Sequence, residues 1–304
     1  MSAQATRTRP TTFEAVAALS SRMSSPEGVA KALAFRPQSS DVIITPYGKC
    51  GTTWIQQVFH SLRTRGDMDF DDISRVVPWI ETAHELGLDL DAPQRGEPRG
   101  FKSHFSYDLV PKGARYIVSI RDPKDALVSS FRFMEGWWFE TGSVPIETFA
   151  RVAYMRRGSK RDYWHHLLSW WEQRNNPNVL MLCYEHMNRD LAGSIRRIAA
   201  FAGIALDDEL FDIAMRHASL EFMLAHKNRF DDFLMRQRSE TVGGLPTGSD
   251  SSKVRKGKVG EHTTELPPEI SAQMDDIWRQ EIEAKLGFSN YAALTDALAR
   301  EQLI

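Results

Sequence analysis

Apolar residues in this chain come in two textures. Short unbroken runs, Val42-Ile43-Ile44, Tyr116 to Ile120 and Val179 to Leu182, have the length of strands buried on both faces, and Gly100 to Ser103 reads as a shorter one. Elsewhere apolar residues recur every three or four positions, the helical period: Thr53 to Arg65, Pro123 to about Phe133, Ile146 to Met155, Asp162 to Arg174, Leu191 to Phe201 and Asp208 to His217. Pro123 suits the first turn of its helix. Pro268 to Leu286 forms a terminal helix with Gly287 as its C-cap. Strands that alternate with helices predict a parallel sheet with helices on both faces. The fold class is therefore α/β, in a single domain over residues 41–304. Residues 1–40 are expected to be a partly mobile N-terminal segment with a helical stretch near Phe13 to Leu19. Three stretches break the pattern. Phe70 to Asp91 is mixed, with an apolar island at Val76 to Glu81. Gly136 to Gly142 reads as an aromatic loop holding Trp137, Trp138 and Phe139. Residues 239–258 are rich in Gly, Ser and Lys and predict a mobile lid loop.

In an open parallel sheet, ligands sit beyond the carboxyl ends of the strands. Lys49, His104, Arg121 and Tyr184 follow the four predicted strands in turn. The first of these ends is the most informative. Thr45-Pro46-Tyr47-Gly48-Lys49-Cys50-Gly51-Thr52-Thr53-Trp54 is a Gly-containing turn between a strand and a helix N-terminus. Such a turn aims backbone N–H groups and the positive end of a helix at one point, which suits a phosphate or sulfate. Lys49 adds a charge, Thr52 and Thr53 add hydroxyls, and Trp54 offers a face for a purine. The loop is P-loop-like without being a Walker A motif, because Lys49 precedes Gly51 instead of following the last glycine. The same pattern without a ligand would be an ordinary strand-to-helix turn.

Composition narrows the classes. The 304 residues carry a net charge of −2, so anion binding has to come from local clusters and no nucleic-acid surface is expected. Two cysteines, Cys50 and Cys183, suggest neither a disulfide framework nor zinc, and fit a reducing cytoplasm. The polar start is not expected to act as a signal peptide, and no apolar run is long enough to span a membrane. No cluster has the spacing of metal ligands, so no metal is expected.

Further segments extend the picture. Arg121 and Ser129, eight residues apart, could clamp a phosphate, or could be a strand-end arginine and a solvated helix serine. Val254-Arg255-Lys256-Gly257-Lys258-Val259-Gly260 is a basic run with glycines, which alone reads as a solvated loop. Phe101-Lys102-Ser103-His104 places a histidine after a short strand. Tyr184-Glu185-His186-Met187 follows another. In order and register, from about residue 41 to 265, these segments resemble the cytosolic sulfotransferases, which use 3′-phosphoadenosine-5′-phosphosulfate (PAPS) as sulfuryl donor.

The resemblance implies roles residue by residue. His104 would be the general base, Lys49 would meet the leaving phosphate, Lys102 would hold a sulfonate oxygen, and Ser129 would steer Lys49 until an acceptor is present. The 5′-phosphosulfate would bind Lys49, Cys50, Gly51, Thr52 and Thr53. Trp54, Tyr184, Ser219 and Leu220 would flank the adenine. Arg121, Ser129, Val254, Arg255, Lys256 and Gly257 would hold the 3′-phosphate. Trp79, Lys102, His104, Phe133, Trp137 and Trp138 would line the acceptor pocket, although the Trp-Trp-Phe run reads equally as core. The expected acceptor is a small hydrophobic alcohol or phenol, less readily an amine. Four departures stand out: Cys50 where the family usually has Ser, Leu220 where many members have an aromatic, Gly260-Glu261-His262 in place of Gly-Asp-Trp-Lys, and no recognisable dimer element at Thr263 to Glu269. A homodimer would have to use another surface. Two rivals stay open: a P-loop-type kinase using ATP and magnesium, and a non-catalytic nucleotide-binding protein of the same fold.

Overall fold

The computed structural model describes residues 7–301. Its centre is a sheet of four parallel strands: β1 (Val42–Ile44), β2 (Gly100–Lys102), β3 (Arg115–Ile120) and β4 (Val179–Cys183), in the order β2-β1-β3-β4. In register, Val42 lies beside Gly100 on one side and Arg115 on the other, and Tyr116 lies beside Val179. Alternate residues feed two separate apolar cores, one on each face. Ile43, Phe101, Tyr116 and Val118 enter one core. Val42, Ile44, Ile117 and Leu182 enter the other. Burial on both faces is why these strands are continuous apolar runs.

The helices follow the predicted order. In the first half are α1 (Phe13–Ser20), α2 (Pro26–Ala34), α3 (Thr52–Thr64), α4 (Pro123–Trp137) and α5 (Ile146–Phe149), the last running into a π turn at Ala150–Tyr154. Then come α6 (Tyr163–Trp171), α7 (Tyr184–Arg189), α8 (Leu191–Ala202) and α9 (Asp208–His217). Side-chain oxygens of Asp122, Asp162, Asp190 and Asp207 cap α4, α6, α8 and α9, each accepting a first-turn N–H.

Four elements differ from expectation. α2 carries its own start signal, Ser25 as N-cap and Pro26 in the first turn, and its Ala32 joins the core together with Val16, Met23 and Phe35. Helix α4 runs on to Trp137, so Gly136 is no turn residue. A Cβ there would lie 2.7 Å from the Asp250 carbonyl, and the glycine lets the 239–258 segment press on the helix. That segment is seated rather than purely superficial: Leu245 and Ser251 are buried, and Arg236 donates to the Ser249 carbonyl at 2.6 Å. Finally, the helix from Pro268 passes through a π turn at Arg279–Glu283 before Gly287 ends it at φ 80°, and a further helix, Tyr291–Glu301, follows.

A buried ion pair ties the amino ends of β1 and β2. Asp41 receives Arg99 on both oxygens, at 3.0 and 2.7 Å, and both side chains are nearly inaccessible. The chain leaves β1 for β2 on one side and β3 on the other, so the switch point of the topology lies between the carboxyl ends of β1 and β3.

Candidate active site

At that switch point the Thr45–Gly51 loop turns back into α3. Lys49 and Gly51 are both left-handed, at φ 67° and 95°. A Cβ on Gly51 would stand 3.0 Å from the Tyr184 ring, so both backbone angle and space call for glycine. The first N–H groups of α3 have no carbonyl within the helix to bond. Two buried polar atoms beside them, Thr52 Oγ1 and Arg121 Nε, lack a hydrogen-bond partner. Arg121, at the end of β3, donates to the Lys49 carbonyl at 3.0 Å and the Lys258 carbonyl at 3.3 Å, with its guanidinium 4.4 Å from the Tyr184 ring centre. Open N–H groups, orphan donors and a fixed guanidinium are the donor set that a phosphate or sulfate takes.

The basic run 254–257 lies alongside. Arg255 pairs with Glu261, and Lys256 Nζ is 3.5 Å from the same carboxylate. The run is held by buried Asp125 of α4, which accepts the N–H groups of Gly260 and His262 at 2.6 and 3.0 Å and pairs with His262 Nδ1 at 2.7 Å. Asn188 of α7 donates to the Gly257 carbonyl at 2.9 Å. Ser129 faces the same space from α4.

Beyond β2 stands His104. Its Nδ1–H donates to the Pro46 carbonyl at 2.7 Å, which leaves Nε2 with its lone pair. The Glu81 carboxylate accepts the His104 N–H at 2.6 Å and the Ser103 hydroxyl at 3.1 Å, and Trp79 meets the imidazole edge-on at 5.2 Å. Burial, then the Lys102 ammonium, holds the imidazole well below its usual pKa, so it is neutral near pH 7. Lys102 lies 3.7 Å over the Trp79 ring and is drawn down to about 8, first by burial and then by Lys253. Lys49 Nζ sits 4.4 Å over the Phe133 ring, and burial, with Lys253 next, lowers it to about 7. No hydrogen bond joins it to Ser129.

These groups share one cavity of about 910 Å³. Beside the polar groups just described, its lining includes the apolar side chains of Phe13, Phe133, Trp137, Trp138, Phe149, Tyr154 and Met235. A family description, sulfotransferase domain, matches residues 39–286, which is most of the chain. The chain belongs to the sulfotransferase family. The amine sulfotransferase of Oryctolagus cuniculus is 29% identical to it over 259 residues, spanning 82% of this chain and 83% of the relative. The 3-beta-hydroxysteroid sulfotransferase of Cavia porcellus is 25% identical over 256 residues, spanning 82% and 85%. The fold is shared with a mouse sulfotransferase complexed with PAP (TM-score 0.63, 23% identity, 86% of this chain and 90% of that one). It is also shared with retinol dehydratase in complex with androsterone and inactive cofactor PAP (TM-score 0.67, 22% identity, 84% of each).

In this sulfotransferase the predicted residues converge, with differences of detail. Thr53, Trp54, Tyr184, Ser219, Leu220 and Val254 all line the cavity. Trp54 uses its Nε1–H on the Ala218 carbonyl at 2.8 Å and meets Tyr184 edge-on at 5.7 Å. Ser219 spends its hydroxyl as a helix cap, accepting from the Phe222 N–H at 3.1 Å. Leu220 is 42% exposed and lies against Gly257. Cys50 is turned away from the open N–H groups of the loop. Its N–H is turned to the Tyr47 carbonyl at 3.1 Å, and its buried thiol, raised to about 12 by burial, points behind the loop at the Gly48 carbonyl. Trp137 and Trp138 are both buried and line the cavity, so core and wall are the same thing here, whereas Phe139 packs on Phe131 away from it. Sequence reasoning missed Asp232, Lys253, Glu81, Phe13 and Tyr154. Lys253 had a signal, being part of the same basic run, but Asp232 had none. Among the described residues no group of three or more His, Cys, Asp or Glu could hold a metal, and no helix is long and apolar enough to cross a membrane.

Proposed function

We propose that this sulfotransferase moves the sulfuryl group of PAPS to the hydroxyl of a small hydrophobic alcohol or phenol, with adenosine 3′,5′-bisphosphate (PAP) as the other product. The observation that carries the reading is one cavity lined both by Lys49, Lys102 and His104 and by a set of aromatic side chains. The loop before α3 receives the 5′-phosphosulfate, and Arg121 and Ser129 face the 3′-phosphate. Arg255, Lys256 and the Gly257 backbone receive the 3′-phosphate. Trp54 and Tyr184 supply the faces for the base.

His104 presents Nε2 to the acceptor hydroxyl and takes its proton as the new O–S bond forms. The bridging S–O bond breaks with its electron pair left on the 5′-phosphate. Lys49 neutralises the charge growing there, and Lys102 holds a sulfonate oxygen. Burial, and Lys253 after it, disfavour the ammonium forms of Lys102 and Lys49, and an anion bound beside them favours those forms. Positioning and charge stabilisation supply most of the catalysis.

The test is a panel of acceptors with PAPS as donor: phenols, alkyl alcohols and sterols against sugars and polar amines. Turnover concentrated in the first group is expected. Turnover confined to sugars would overturn the acceptor class, and PAP failing to raise the melting temperature where ADP with magnesium succeeds would overturn the donor.

A further inference from the structure

Lys253 lies two residues before Arg255, on the run that approaches the 3′-phosphate side, yet its side chain turns inward. It is 11% exposed and its Nζ bonds Asp232 Oδ1. Asp232 is 4% exposed and held left-handed at φ 49° just ahead of the Phe233–Arg238 helix. Lys102 Nζ stands 3.8 Å from the same oxygen. Two ammonium groups therefore flank one carboxylate oxygen. Burial opposes the charge on Asp232, but Lys253, Lys102 and, behind them, Lys49 hold it ionised with a pKa of about 2. All four residues line the cavity.

A plain structural clasp would need one cation for one anion. Here the Lys253 and Lys102 ammonium groups flank one oxygen of Asp232, with Lys49 in the same cavity lining. Glu81, the next carboxylate to act on Lys102, already accepts the His104 N–H and the Ser103 hydroxyl. Surplus buried charge of one sign is costly unless a counter-ion arrives. Lys253 and Lys102 line the same cavity as the loop before α3 and His104.

We propose that Lys253, oriented by Asp232, is a third lysine of the donor site and binds an oxygen of the sulfonate. The run that clasps the 3′-phosphate then also completes the sulfonate pocket, so one segment reads both ends of the donor. This rests on the donor reading above and is independent of the acceptor.

Binding without turnover separates the sulfonate from the rest of the donor, since PAP has the 3′- and 5′-phosphates and no sulfonate. Calorimetric titrations of the full chain with PAPS and with PAP, no acceptor present, are compared for wild type and Lys253→Met. The expected result is about tenfold weaker PAPS binding with PAP affinity changed less than about twofold, the scale of one lost charge-assisted hydrogen bond. Lys253→Arg should restore most of the PAPS affinity, and Asp232→Asn should lose part of it. Equal weakening of PAPS and PAP would overturn the proposal in favour of a structural clasp, and no change in either would overturn it outright. Should Lys253→Met be too unstable to titrate, the PAPS-to-PAP ratio of Lys253→Arg and Asp232→Asn decides by the same criteria. A wild type that binds PAP but not PAPS would remove the donor reading itself, a result distinct from either.

Discussion

At the scale of residues, the lysines and His104 govern one another. Lys49 is drawn from the usual 10.5 to about 7, by burial first and by Lys253 next, so much of the free enzyme carries it uncharged above neutral pH. An anion bound beside it favours the ammonium form. PAP binding from about pH 7 upward is therefore expected to take up a proton, and affinity should fall as pH rises. Calorimetry in buffers of differing ionisation enthalpy would detect this, and a heat that does not depend on the buffer would refute it. His104→Ala should lower turnover about 10²-fold or more while PAP affinity holds, measured by steady-state rates and titration. With its pKa far below the ordinary value, His104 should also leave the rate without a loss near pH 6, because an acid limb belongs to the imidazole's protonation. The candidates found in the sequence were those with local context: Lys49 in a strand–turn–helix, His104 two residues after Lys102. Asp232 was invisible because its role comes from Lys102 and Lys253, which lie 130 and 21 residues away in the chain. The engagement of the Cys50 N–H was not legible, because a turn hydrogen bond to the Tyr47 carbonyl, not residue type, decides which N–H groups remain open.

At the scale of elements, α4 does two jobs. Its Asp125 anchors the 254–262 run, and its last turn supplies Phe133 and Trp137 to the apolar wall. His262, raised above its usual pKa by the hydrogen bond to Asp125, strengthens that anchor when protonated, so the added hold is lost as pH rises through the raised value. Asp125→Ala is expected to weaken PAP about tenfold, as buried backbone N–H groups lose a charged acceptor. Adenosine 5′-phosphosulfate, which lacks the 3′-phosphate, should lose far less. Equal losses in competitive titrations would mean that the anchor does not act through the 3′-phosphate run. Strands and long helices were legible because burial on two faces or one leaves a periodic trace. The end of α4 was not, since Gly136 serves close packing and looks like a turn.

At the scale of the whole molecule, the parallel sheet collects four strand ends at one edge, and this convergence could be read from order alone. Fixing those ends depends on the opposite edge. Asp41 and Arg99 lock the starts of β1 and β2, so Asp41→Ala should cost about 3–5 kcal/mol, as it leaves a buried guanidinium unpaired. Urea unfolding would measure it, and a loss near zero would show that Arg99 finds solvent. In the N-terminal segment α1 was legible near Phe13 to Leu19, whereas α2 was not, because packing of Ala32 on the core holds it more than its period does. Arg9 donates to the carbonyls of Glu135 and Gly136 at 2.8 and 3.1 Å, and Phe13, four residues on, lines the cavity.

The two walls of that cavity are written in different parts of the chain. Strand ends and their loops hold the donor groups, while α1, the end of α4 and the 146–154 stretch shape what faces them. Mutational drift in the second set can exchange one guest for another while the chemical step is inherited unchanged, so diversity in this scaffold should gather at Phe13, Trp137, Phe149 and Tyr154.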